Sequence, residues 1–252
     1  MYAAPGPFRD QGSFAICDFE TSGFSPQRHR VLEIAVVRVR ADGSVEDRWT
    51  TLVDPGNGDV GPTHVHGIRW SDLRPAPRFA EIAGEFLTRL EGAVFVAHNA
   101  SFEEGFLMAE LSRLGVSLPS MPAVCTFRTA QTRLGLPRNR LADVAAAYGI
   151  TIKDAHTAMG DVDAIRGFLP RLLSVAGPLT FPVGLPTLPR LPTGHAPHPR
   201  RSGALSGSAT RTVTTAPRPQ VSAVPAAGRT YRCGLCGAPG HNRRTCPRRY
   251  AA

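Results

Sequence analysis

The stretch SFAICDFETSG (residues 13–23) begins apolar and ends polar. Its first residues read as a buried strand, and Asp18 and Glu20 then appear two positions apart. Side chains at i and i+2 of a strand point to the same face. Two carboxylates therefore lie side by side at the end of an apolar strand. Like charges that close repel and resist desolvation, so the pattern calls for a compensating cation.

Outward from this strand, the chain reads as an α/β layer. VLEIAVVRVR and EDRWTTLVDP are two further strands, with ADGS as a hairpin turn between them. RFAEIAGEFLTRLEG has helical apolar spacing and ends in glycine. AVFVAH is a short buried strand. SFEEGFLMAELSRLG is a helix with Ser101 as candidate N-cap and Glu104 three residues on, as in a capping box. RLADVAAAYGI and HTAMGDVDAIRGFLPRLL give further helices. The order βββαβα…α argues for an antiparallel start to a mixed sheet.

Two more segments carry chemistry. VAHNASFEEGFL (96–107) puts His98 and Asn99 at a strand end and Glu103 one turn into a helix. DAHTAMGDVDA (154–164) puts His156 and Asp161 at the start of the last helix. Acids on a strand end and on two later helices can converge in space. Hard oxygen ligands suit Mg²⁺ or Mn²⁺, whose charge offsets the repulsion. Two such ions, about 3.5–4 Å apart, clamp the attacking and leaving oxygens of a phosphodiester. Histidine titrates near neutral pH, which makes His156 a candidate to take a proton from water.

Taken together, these segments resemble the DEDD-type 3′→5′ exonucleases of the histidine subclass, a family that includes the proofreading subunit of bacterial DNA polymerase III, ribonuclease T and oligoribonuclease. The resemblance covers residues 13–172. DFETSG matches the first motif, HNASFEEGFL the second and HTAMGD the third; THVHGI (63–68) matches a segment between the first two. It implies a ribonuclease-H-like fold, a mixed five-stranded sheet flanked by helices. It also implies metal ligands at Asp18, Glu20, Glu103 and Asp161, holding two Mg²⁺ or Mn²⁺, and a general base at His156.

One position departs from the family pattern H-N-A-x-F-D, because Glu103 stands where Asp is usual. The extra methylene sets the carboxylate roughly 1.5 Å further out, so retained but retuned activity is expected. Glu104 is a competitor, but lies about 100° further round the helix. Asp163 competes with Asp161, and the motif spacing favours Asp161. Thr21, Ser22 and Gly23 lie where the family lays the 3′-terminal nucleotide, with strand-end turn chemistry as the alternative. Phe102 is a candidate to pack on a terminal base, or a buried helix residue. His98 and Asn99 are candidates to contact substrate, or satisfy strand-end backbone groups. His64 and His66 fall in an expected loop and read as surface residues, with His66 as a candidate to cover the site. Cys17 and Cys125 read as buried, reduced and inert.

The remaining third of the chain is different. Residues 172–252 hold eleven Arg and no Lys, Asp or Glu, whereas residues 1–171 carry 18 basic against 20 acidic groups. A basic arm on a near-neutral domain points to a polyanion, most simply nucleic acid. From about Pro178 to Gly228 the segment is rich in Pro, Gly, Ser and Thr and reads as a flexible linker. CGLCGAPGHNRRTC (233–246) is C-x₂-C-x₄-H-x₄-C, so Cys233, Cys236, His241 and Cys246 form a closed tetrahedral set for one structural Zn²⁺. It resembles a CCHC zinc knuckle. Arg243, Arg244, Arg248 and Arg249 are then available to phosphates, and Tyr231 and Tyr250 to bases; a protein-binding knuckle is the alternative.

The expected organisation is an exonuclease domain (1–175), a linker (176–229) and a zinc knuckle (230–249). The expected function is a metal-dependent 3′→5′ exonuclease releasing mononucleotides, with DNA favoured over RNA. Its expected partner is nucleic acid with a free, single-stranded 3′ end, and a DNA polymerase is a second candidate. A scaffold that binds nucleic acid or a polymerase without cleavage is the rival. MYAAPGPFRDQGS has no apolar run, no stretch of about 18 apolar residues exists, and the five cysteines suggest no disulfide framework. A cytoplasmic protein without membrane attachment is expected.

Overall fold

Strand β1 (Ser13–Thr21) forms because its residues alternate between two cores. The structure is a computed structural model and describes residues 12–177 and 179–200. Ala15, Cys17 and Phe19 face one helical layer, and Phe14 and Ile16 face the other. β2 (Val31–Arg40) and β3 (Val45–Leu52) follow as antiparallel neighbours. β4 (Ala93–Ala97) and β5 (Ala123–Cys125) are added in parallel on the other side of β1. The sheet order is β3-β2-β1-β4-β5, the mixed five-stranded sheet expected.

Helices cover both faces. α1 (Thr63–His66) and α2 (Trp70–Leu73) are single turns after β3. α3 (Phe79–Leu90) and α4 (Ala100–Arg113) pack Phe86, Leu87, Phe106 and Leu107 on the Phe19 face. α5 (Thr126–Arg133), α6 (Leu141–Ala147) and α7 (Ala158–Ala176) cover the Ile16 face, with Val144, Val162, Ile165 and Phe168 buried. Each buried side chain of this size contributes about 1.5–3 kcal/mol over exposure. None of the helices among the described residues is long and apolar enough to cross a membrane.

Three expectations change. α4 starts from Asn99, in a left-handed conformation at φ 103°, not from Ser101; the Ser101 hydroxyl instead lies 3.4 Å from Asn99 Oδ1. Cys125 is half-buried, while Cys17 is fully buried as expected. Residues 179–200, read from composition as flexible linker, lie against the domain: Leu188 is buried in the α3–α4 core, and Arg200 pairs with buried Glu33. The rest of the linker and the zinc-ligand set fall outside the described residues.

Candidate active site

β1 and β4 are parallel neighbours, so their C-terminal ends emerge at the same edge of the sheet. Ligand sites in such sheets form beyond the carboxyl ends of the strands. Here Phe14 and Ile16 give way to Asp18 and Glu20 on the face that α7 covers, and the first turn of α7 supplies Asp161. Ligand oxygens of Asp18, Glu20 and Asp161 all lie within 4.8 Å of one another. The i, i+2 reading of β1 and the preference for Asp161 both match this convergence. Asp163 points elsewhere, held in a two-pronged ion pair by Arg48 at 2.7 and 2.6 Å.

Glu103 enters from the first turn of α4 and is 4% exposed. It stands outside the 4.8 Å set, but is near enough to raise the pKa of Asp18 and of Glu20. Its buried Oε2 has no hydrogen-bond partner among the described residues. An unpaired buried carboxylate oxygen is costly, and a hard cation would satisfy it.

The electrostatics are those of crowded acids. Burial, then Asp161 and Glu33, push the Glu20 carboxyl up to about 8, with Arg200 opposing. Burial pushes Glu103 up to about 8. Asp161 is raised by burial to about 6, although His156 counteracts this through its charge and its backbone N–H. Asp18 is raised by burial and then by Asp161, Glu103, Glu20 and Glu33. Four carboxyl groups held against their own ionisation fit a divalent cation.

His156 sits on an exposed turn before α7 at φ 64°, and Asp154 shares the left-handed conformation at φ 53°. Non-glycine residues rarely adopt it, so the turn must be held in place. Thr157 does this: its hydroxyl donates to Asp154 O at 2.8 Å and accepts from Gly160 N–H at 3.0 Å, capping α7. Gly160 is required beneath the turn, because a Cβ there would overlap the carbonyl oxygens of Asp154 and Lys153.

The expected substrate residues divide. Thr21 and Ser22 spend their side chains on turn chemistry: the Thr21 hydroxyl donates to Gly23 O at 2.8 Å, and Ser22 Oγ accepts from Arg30 N–H at 3.2 Å. His98 is engaged at both ring nitrogens, with Thr126 Oγ1 and Asn139 O each at 2.9 Å, so its ring clamps β4 to the loop before α6. Phe102 packs on Phe106 at 4.9 Å between centroids, at the edge of the core. Asn99 remains exposed. His66 is buried rather than superficial: Nε2 donates to Val60 O and Nδ1 accepts from Ile68 N–H, each at 3.0 Å. Phe24, not singled out in the sequence, is 89% exposed just past Gly23. A lone phenylalanine after a glycine gives no periodic signal, so only its exposure reveals it.

The family model described as an exonuclease of the RNase T type matches residues 15–166. The chain belongs to that family. It is 35% identical over 155 residues to the DNA polymerase III subunit epsilon of Treponema pallidum, covering 59% of this chain and 71% of that protein. The PolC-type DNA polymerase III of Staphylococcus haemolyticus is 30% identical over 159 residues; 61% of this chain is covered but only 11% of the polymerase. Among solved structures, E. coli exonuclease I in complex with a dT13 oligonucleotide superposes with TM-score 0.55 at 20% identity, over 64% of this chain and 41% of that one. The nuclease domain of 3′hExo, a DEDDh family member bound to rAMP, gives TM-score 0.56 at 17% identity, over 64% and 92%. At such identities the two structures establish a common fold. The domain is thus homologous to the exonucleases of this family, among them the epsilon subunit of DNA polymerase III.

Proposed function

We propose that this exonuclease removes nucleotides one at a time from single-stranded 3′ ends, and that DNA is its preferred substrate. The observation that carries the reading is the convergence of Asp18, Glu20 and Asp161 beside an exposed His156. Asp18, Glu20, Asp161 and Glu103 would hold two Mg²⁺ or Mn²⁺. When bound, such ions neutralise charge on the phosphoryl oxygens and lower the pKa of an attacking water. His156 takes the proton from that water as its oxygen attacks the terminal phosphorus. The bond to the 3′ oxygen of the preceding nucleotide breaks, releasing a mononucleotide and a shortened strand. The turn capped by Thr157 holds the His156 ring at the rim, open to solvent, where it can pass the proton on. The backbone at Thr21–Gly23, next in the chain after Glu20, and the exposed Phe24 ring would receive the terminal nucleotide.

The preference for DNA is supported by the DNA polymerase III relatives, and association with a polymerase is the corresponding partner proposal. The eleven arginines beyond residue 171 and the zinc knuckle would hold the strand being shortened. The test is direct. Matched 5′-labelled DNA and RNA oligonucleotides are incubated with Mg²⁺ or Mn²⁺ and resolved on a sequencing gel. A ladder shortening from the 3′ end, faster on DNA, is expected. Asp18→Ala should abolish it, and His156→Ala should slow it by about 10²–10⁴-fold. Full activity in Asp18→Ala would refute the site.

A further inference from the structure

Residues 179–200 lie along the domain as a strap, and the interactions that fix them are specific. Leu188 is buried in the α3–α4 core, and its N–H donates to Glu91 Oε2 at 3.0 Å. In the middle of α3, a Cβ on Gly84 would overlap the carbonyl oxygen of Pro192. Glycine is a poor residue for a helix interior, and here the crossing strap requires it. The Gly194 N–H donates to Glu85 Oε1 at 2.6 Å. The strap then meets the free edge of the sheet. Leu52 N–H donates to His198 O, and His198 N–H donates to Thr51 Oγ1, both at 2.9 Å.

That row of the sheet is the row of the active site. Glu20 stands opposite Glu33, and Glu33 opposite Leu52. Like charges directly across a strand pair are destabilising, and Glu33 is only 2% exposed. Glu33 Oε2 accepts the N–H of Ala158, the first residue of α7, at 3.1 Å. Arg200, two residues past His198, reaches back to the same carboxylate, with Nη2 to Oε2 at 2.8 Å and Nε to Oε1 at 3.3 Å. Its Nη1 donates to His66 O at 2.6 Å. The rigid fork of a guanidinium can bridge a carboxylate and a carbonyl at once, which an ammonium cannot do in the same geometry.

We propose that the strap is a working part of the exonuclease domain and that Arg200 is a positioning residue: through Glu33 it fixes the first turn of α7, and with it His156 and Asp161, against the strand carrying Asp18 and Glu20. The inference rests on the site assignment above. Without Arg200, Glu33 lies buried opposite Glu20 with no counter-charge and only the Ala158 N–H as donor, so its carboxylate shifts and carries the first turn of α7 with it. A misplacement of about 1 Å at a reacting group costs roughly 100-fold in rate.

The test uses the full-length protein. Wild type, Arg200→Ala, Glu33→Gln and the double variant are assayed on a short oligonucleotide, well below each melting temperature. The rise in melting temperature on adding Mn²⁺ is measured alongside. Arg200→Ala should lower kcat by about 10–100-fold with KM little changed, and should shrink the Mn²⁺-induced rise. Added guanidinium ion should restore part of the kcat. A neutral amide at position 33 needs no counter-charge, so Arg200→Ala should cost little more in the Glu33→Gln background. Wild-type kcat and Mn²⁺ response in Arg200→Ala would overturn the proposal, as would independent, multiplying effects of the two substitutions. Should Arg200→Ala fail to fold, Arg200→Lys keeps the charge without the fork, and wild-type kcat there overturns the proposal equally. Asp18→Ala, run in parallel, separates the two ideas. An active Asp18→Ala defeats the site assignment. An inactive one beside an unaffected Arg200→Ala defeats only the role of Arg200.

Discussion

Replacing Glu20 with glutamine should stabilise the metal-free protein at pH 8, although it removes a proposed ligand. In the fold, burial and then Asp161 and Glu33 raise this carboxyl from 4.5 to about 8. The folded protein therefore keeps a proton that the unfolded chain releases. The stability from this group is fully present below about pH 4.5 and is lost as pH rises through about 8. One pKa unit corresponds to 1.36 kcal/mol, so the whole loss is at most about 5 kcal/mol. Asp161 at about 6 and Glu103 at about 8 titrate in the same field, and the acids share the effect. Half the limit, about 2 kcal/mol, converts to roughly 4–8 °C for a domain of this size. Thermal melts in chelator, from pH 5 to 8.5, should show Glu20→Gln melting that much above wild type at the alkaline end. The gap should close near pH 5, where folded wild type holds Glu20 protonated. Saturating Mg²⁺ should reverse the order, because wild type gains more from the ion. A variant that melts below wild type in chelator at pH 8, or a gap that ignores pH, would refute the reasoning that these acids are held in repulsion.

Two further outcomes test the supports of the site. Gly160→Ala forces a Cβ against the carbonyls of Asp154 and Lys153. The turn carrying His156 must then shift, and cleavage should fall by about 10–100-fold while KM holds; wild-type kinetics would show that the turn does not place the base. Cys236→Ser in the full chain should leave cleavage of short oligonucleotides intact but weaken binding to long single strands. The slope of log affinity on log salt should flatten by roughly 0.7 for each phosphate that the proposed knuckle no longer neutralises, read by fluorescence anisotropy over a KCl series. An unchanged slope would point to a protein-binding knuckle.

The parts of the fold that are legible in sequence are those whose signal is local. β1 and β2 alternate or run apolar long enough to declare themselves, and the i, i+2 pair in β1 places two acids of the observed cluster on one face from spacing alone. Asp161 over Asp163 follows from motif spacing, and the Arg48 pair explains where the other acid goes. What escapes is short or has distant partners. β5 has three residues, and α1 and α2 four each, too few for any period to appear. α5, TFRTAQTR, buries only Thr126 and Ala130 and so shows no apolar stripe. The structural duty of His98 depends on Asn139, 41 residues away.

The strap escapes for a different reason, and its clue lies elsewhere in the chain. Its own sequence has no periodicity because it buries few side chains; the domain supplies the anchors, with Glu91, Glu85 and Thr51 accepting the hydrogen bonds. Prolines also restrict the unfolded chain, so such a segment loses less entropy when it settles. Composition alone therefore overstates its freedom. The readable sign is Glu33, a carboxylate inside VLEIAVV. An acid in an apolar strand is tolerated only with a counter-charge. In the proposed site, Asp18 and Glu20 pose that demand to an ion from solution. Glu33 poses it to the chain itself, and Arg200, 167 residues later in a tail without a single acid of its own, supplies the charge.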